Sequence, residues 1–118
     1  MIRRYEEIDE LEDPDPQTDG LMPLALELYE YYQKVLEEKG YSIKFIAARG
    51  PLVTAAHIRG LTKFIADLKL SPQWMHKLVD KTTKLCIRWL KAQLELIKDS
   101  IGILVLDDIP GLLSQNLF

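Results

Sequence analysis

The sequence predicts an α/β chain in which parallel strands are covered by helices. Two short apolar runs carry that prediction: Ile43 to Pro51 (IKFIAARGP) and Ile101 to Asp108 (IGILVLDD). Each is too short for a helix, and each ends abruptly in charged or turn-forming residues. The third observation is what lies between them, two helical patterns and no hairpin signal. Strands that are apolar on both faces and joined through helices belong to parallel sheets. In such sheets ligands bind beyond the carboxyl ends of the strands. Arg49 stands at one of those ends; Asp107 and Asp108 stand at the other.

Residues 1–20 read as an acidic, extended leader, because Asp13 to Gly20 (DPDPQTDG) suits neither helix nor strand. Residues 21–118 form the structured segment. Pro23 fits the first turn of a helix, where its missing N–H would be unpaired anyway. Leu24, Leu28, Tyr31, Tyr32 and Val35 recur at helical spacing, and Gly40 supplies a stop. The first strand is predicted from about Tyr41 to Ala48, and Gly50-Pro51 ends it. From Leu52 to Leu70 the apolar positions, among them Val53, Ala56, Phe64 and Leu68, describe one amphipathic helix. Gly60 sits inside it at a cost of about 1 kcal/mol relative to alanine, which close packing would justify. Ser71 and Pro72 then read as the N-cap and first position of a helix running to Lys98, about 40 Å long. Its apolar side includes Met75, Leu78, Cys86, Trp89 and Ile97. The second strand ends at Asp107-Asp108, and Ile109-Pro110-Gly111 forces a loop.

At 118 residues the ceiling is one domain. Its 47% hydrophobic and 28% charged residues are ordinary for a soluble globular chain, which makes the cytoplasm the default location. No apolar run approaches the roughly 20 residues of a membrane span. One cysteine, Cys86, leaves no intrachain disulfide and no cysteine-rich zinc site. Eight acids against two bases give residues 1–20 a net charge of −6, and the remainder carries +3. Its thirteen bases are scattered over helical faces rather than clustered, which argues against nucleic acid as a partner.

Asp108 and His57 are the candidate catalytic residues, and Arg49 and Asp107 the candidate substrate-binding ones. His57 lies on the first or second turn of the helix that starts at the site, where it could exchange a proton near neutral pH or serve only as a surface residue. Arg49 could hold a carboxylate or phosphate in a fork, or pair with Asp107 or Asp108. Adjacent strand residues point to opposite sides, so the two aspartates are not a dyad, and one could simply cap the following loop. Gly102, Leu104 and Leu106 share a face with Asp108, and glycine suits a crowded sheet interior. That selects Asp108 over Asp107 as the residue presented to substrate. No metal ligand set is expected, because His57 and His76 are far apart in sequence.

Four segments resemble the uroporphyrinogen decarboxylase superfamily, in one unbroken register over nearly the whole chain. They are Ala48 to Gly60 (ARGPLVTAAHIRG), Asp67 to Leu78 (DLKLSPQWMHKL), Leu104 to Phe118 (LVLDDIPGLLSQNLF), and the preceding linker with DPDP and Asp19 to Pro23 (DGLMP). The resemblance implies a (β/α)8 barrel, of which this chain is a partial, middle segment. The superfamily includes a cofactor-free decarboxylase of tetrapyrroles and methyltransferases that use a corrinoid and zinc. Adjacent Gly50 and Pro51, followed by Leu52, resemble the methyltransferase-like branch. His57 falls where decarboxylases carry a functional tyrosine.

In that register the decarboxylases' arginine-rich segment and pyrrole-binding aspartate precede Met1, and the methyltransferases' zinc motif follows Phe118. Asp99-Ser100 departs from the family's usual lead-in to the second strand. The resemblance therefore implies a parent enzyme of the corrinoid-dependent methyltransferase kind, with a carboxy-lyase as the alternative. Corrinoid and zinc are implied for that parent, and none is expected on this chain alone. A corrinoid protein or a tetrapyrrole is the implied partner or substrate. A reading of another class is a non-catalytic remnant, or a subunit completed by a partner chain. Open strand edges lead us to expect a homo-oligomer or a complementing chain rather than an isolated monomer.

Overall fold

The computed structural model describes residues 1–118. The elements run α1 (Glu7–Glu10), α2 (Met22–Glu38), β1 (Phe45–Arg49), α3 (Pro51–Arg59), α4 (Leu61–Leu70), α5 (Pro72–Leu96), β2 (Gly102–Leu106) and a 3-10 turn, η1 (Ile109–Leu112). β1 and β2 pair side by side. The Ile101 N–H donates to the Lys44 carbonyl at 2.7 Å, and the Gly50 N–H to the Leu106 carbonyl at 2.9 Å. Pairing thus advances in the same direction along both strands, which makes the sheet parallel. α3, α4 and α5 form the crossover that a parallel pair requires. This is α/β architecture consistent with part of a (β/α)8 barrel, as expected. No helix is long and apolar enough to cross a membrane.

Two compact units divide the chain. The first comprises residues 1–13, 49–86 and 106–118. Its core gathers Ile2, Ile8, Val53, Ala56, Phe64, Met75, Leu78 and Ile109. Ile2 and Ile8 come from the segment read as an acidic, extended leader, and both are buried. The Ile2 N–H donates to the Ile58 carbonyl at 2.8 Å, and the Tyr5 hydroxyl to the Asp67 carboxylate at 2.8 Å. Acidic composition hid two buried isoleucines spaced six apart around a short helix. The proline-rich stretch from Asp13 to Gly20 carries no helix or strand, as its composition dictates.

The predicted single helix over 52–70 is two helices. Gly60 adopts φ +95°, closing α3 and opening α4. Only glycine takes that conformation without strain, so its cost inside a helix never arises. The break lets Arg59 and Asp67 meet. Arg59 Nε lies 2.7 Å from Asp67 Oδ2, with both side chains less than a tenth exposed. Arg59 also donates to the Ile2 and Arg3 carbonyls at 3.2 and 3.0 Å and lies over the Tyr5 ring. The buried charge is thereby paired and hydrogen-bonded, which is the condition for tolerating it.

The second unit comprises residues 14–48 and 87–105. α2 ends in a Schellman arrangement: the Tyr41 N–H donates to Leu36 and the Gly40 N–H to Glu37, as the predicted glycine stop requires. β1 alternates, with Ile46 and Ala48 buried and Phe45 exposed. Gln93, fully buried on α5, donates from Nε2 to the Ala47 carbonyl at 2.9 Å. β2 departs from the expectation of a covered strand. Ile103, Leu104, Val105 and Leu106 are all about half exposed, because this chain's helices cover β1 and leave both faces of β2 accessible. A side chain at Gly102 would overlap the Phe45 ring, so these two residues share one face.

Candidate functional site

The site is built where β1 gives way to α3. The first N–H groups of any helix lack intrahelical partners and carry partial positive charge. In α3 they are met by Asp107, which arrives from the end of β2. Its Oδ2 accepts the Leu52 N–H at 2.8 Å, and its Oδ1 accepts the Val53 N–H at 3.1 Å and the Ile109 N–H at 3.3 Å. A Cβ at position 50 would overlap the Asp107 carboxyl group, so glycine is what lets the carboxylate approach. Thr82 completes the clamp, donating from Oγ1 to the Pro51 carbonyl at 2.9 Å.

Asp108 has no such employment. It occupies the position before η1 without a side-chain capping bond, and it is exposed. It borders a cleft of about 450 Å³ together with Arg49 and His57. Val53, Ala56 and Ile109 supply buried apolar walls to that cleft. Arg49 and His57 are exposed, and no ion pair joins Arg49 to either aspartate. Three of the four residues singled out from the sequence therefore share one cleft, and Asp107 stands behind it as a structural acceptor. Both aspartates lie past the end of β2, Asp107 against the start of α3 and Asp108 beside the cleft.

Chemically, the cleft offers a guanidinium fork, an imidazole and an uncommitted carboxylate above an apolar floor. That combination offers the donors and the acceptor that an anionic group with an exchangeable proton would need. Its volume admits one small substrate, or one arm of a larger one. The remaining candidates lie elsewhere. His76 is exposed on α5 beside Met75, Leu113 and Phe118. Burial pushes the Cys86 thiol above its ordinary value, and the Asp107 charge adds to that effect. No three His, Cys, Asp or Glu side chains come together to hold a metal ion, so the residues present do not fit the zinc that a methyltransferase implies.

The Arg59–Asp67–Tyr5 cluster escaped the sequence reading. Positions 59 and 67 fall outside the spacing of helix neighbours, and only the break at Gly60 brings them together. No curated protein and no solved structure matches the chain. The uroporphyrinogen decarboxylase (URO-D) family model matches residues 1–118. That match spans every element described above, including the Arg49–Gly50–Pro51 turn and the Asp107–Asp108 pair, and the chain belongs to the uroporphyrinogen decarboxylase family.

Proposed function

We propose that Arg49, His57 and Asp108 form the substrate-facing rim of a (β/α)8 enzyme acting on a carboxylate-bearing substrate. The observation that carries this is their convergence on one cleft at the carboxyl ends of both strands, where such folds do their chemistry. Arg49 binds a carboxylate through its two-pronged guanidinium. His57 and Asp108 hold and pass a proton at the group beside it, and the apolar floor limits water. Asp107 acts as a positioning residue, fixing the start of α3 and with it the direction of His57. Within the family, the adjacent Gly50 and Pro51 and the histidine at position 57 favour a methyltransferase-like parent. When bound, a corrinoid would supply the methyl group. The guanidinium favours a second reading, a carboxy-lyase acting on a carboxylated porphyrinogen. In either case we take this chain as one portion of the barrel, completed by further strands.

Equilibrium dialysis against a carboxylated porphyrin and against a corrinoid tests the cleft. Arg49→Ala should weaken porphyrin binding by about tenfold or more, the worth of a charge-assisted pair. Thr83→Ala, outside the cleft, should leave it unchanged. Equal binding by wild type and Arg49→Ala would refute the assignment. The branch is decided by assaying the chain with a co-expressed complementary portion: methyl transfer to a thiol supports one reading, and carbon dioxide release the other. Absence of both supports a non-catalytic role.

A further inference from the structure

The cleft has a second end that the proposed chemistry leaves unused. It runs along one face of α3, where Val53, Ala56, His57 and the closing Gly60 recur at helical spacing. From Pro51 to Gly60 that face is about 13 Å long. Arg49 stands before its first turn. Asp108 is kept at the same end because its neighbour Asp107 bonds the Leu52 and Val53 amides. At the other end stand Leu61, which opens α4, and Met1, whose sulfur would lie 3.2 Å from a Cβ at Gly60. Leu112 of η1 adds a further apolar side chain to the cleft. Leu61 is 47% exposed and Leu112 61%, so apolar surface faces water at the cleft. The Met1 wall is anchored one residue away. The Ile2 N–H donates to the Ile58 carbonyl at 2.8 Å, and Arg59, paired with Asp67, donates to the Ile2 carbonyl at 3.2 Å.

We propose that the cleft takes an aliphatic carboxylate. Its head lies on Arg49, and an apolar tail of about ten carbons follows α3 as far as Met1 and Leu61. The polarity of the cleft selects this occupant. The guanidinium at one end calls for an anion, and the Asp108 charge beside it opposes a second negative charge on the head. A carboxylate is therefore favoured over a phosphate monoester. Buried Val53 and Ala56 give the tail a floor, and the tail in turn covers the exposed leucines. The head rests on the role proposed above for Arg49; the tail adds the other half of the substrate class.

Calorimetric titration of the full chain with straight-chain carboxylates, from butanoate to decanoate, tests this. Affinity should rise about twofold per methylene, half the free-energy gain of full burial because the cleft is open on one side, and so about sixtyfold over the series. Leu61→Asp should weaken decanoate about tenfold and butanoate less than about twofold, since it sets a charge beside the end of the tail alone. An acidic residue suits the first turn of α4, so its far-UV circular dichroism should match wild type. With methyl-labelled methionine, decanoate should move the Met1 signal and leave Met22 and Met75 in place; butanoate should move none of the three. Decyl phosphate should bind more weakly than decanoate, and tighter binding would overturn the choice of head group. An affinity independent of chain length would overturn the tail while leaving Arg49 its carboxylate, provided Arg49→Ala weakens every member alike. A rise with length that survives Leu61→Asp, or a stationary Met1 signal, would place the tail elsewhere and overturn the proposal. A rise with length that Arg49→Ala does not lower would refute the head, and with it the reading of Arg49.

Discussion

Replacing Asp107 by alanine should loosen the start of α3 without touching the cleft's own side chains. Its carboxylate satisfies two otherwise unpartnered helix N–H groups and the Ile109 N–H, at 2.8 to 3.3 Å. An N-cap acceptor contributes about 0.5–2 kcal/mol, and a hydrogen bond to a charged group about 1.5–3 kcal/mol. The site is only part-buried, so water recovers some of each bond once the acceptor is gone. We expect a net loss of about 3 kcal/mol for Asp107→Ala and about half of that for Asp107→Asn, which keeps one oxygen. Hydrogen exchange at the Leu52 and Val53 amides reads the effect directly. A 3 kcal/mol loss corresponds to exchange faster by about a hundredfold. Asp108→Ala should leave both amides unchanged, within about 0.5 kcal/mol, since no hydrogen bond is lost. Equal acceleration by the two alanine variants, or none with Asp107→Ala, would mean that β2 presents its faces the other way round.

Arg59→Met should cost about 3–5 kcal/mol, because it leaves the Asp67 charge buried without its partner. The double variant Arg59→Met/Asp67→Leu should recover most of that loss in urea unfolding, and a double variant no better than the single would refute the account. Gly60→Ala should lower stability by about 1–2 kcal/mol, since φ +95° strains any residue with a side chain; an unchanged melting temperature would contradict it. The Arg4 and Arg3 backbone amides hold the Glu7 carboxyl below its ordinary value of 4.5. A depressed folded-state value means that its support of α1 is fully present above pH 4.5 and is lost as pH falls through the lower value. Carbon-13 titration of Glu7 in the chain should show that depression, and Arg4→Pro, which removes one of the two amide donors, should shrink it.

What the sequence disclosed follows from which interactions are local. Strand order, the parallel sense and the α5 start at Pro72 rest on apolar run length and on proline, and both act over a few residues. The Gly40 stop is equally local. The split at Gly60 was not legible, because an interior glycine in an apolar periodicity fits either a continuous or a broken helix. What decides it is tertiary: Ile2 and Arg3 of the first segment offer carbonyls to Arg59, and that arrangement needs the turn. The burial of Ile2 and Ile8 was hidden for the same reason. Acidic neighbours dominate the composition of residues 1–13, whereas the partners that bury the two isoleucines lie dozens of residues away.

The end of β2 shows how one residue of register separates structure from chemistry. Asp107 and Asp108 are identical side chains on consecutive residues just past β2, and Asp108 has already left extended backbone at φ −95° and ψ −8°, so the two part company there. The side that meets α3 finds unpaired amides and partial positive charge, which hold a carboxylate in place and occupy its lone pairs. The other side meets Arg49 and His57 across open space, where a carboxylate keeps its acceptors for a ligand. A slip of one residue would exchange the two roles. The Gly50 N–H bond to Leu106 and the tight approach of Gly50 to Asp107 oppose that slip. The glycine of the Arg49–Gly50–Pro51 turn therefore fixes which aspartate borders the cleft, although it carries no chemistry of its own.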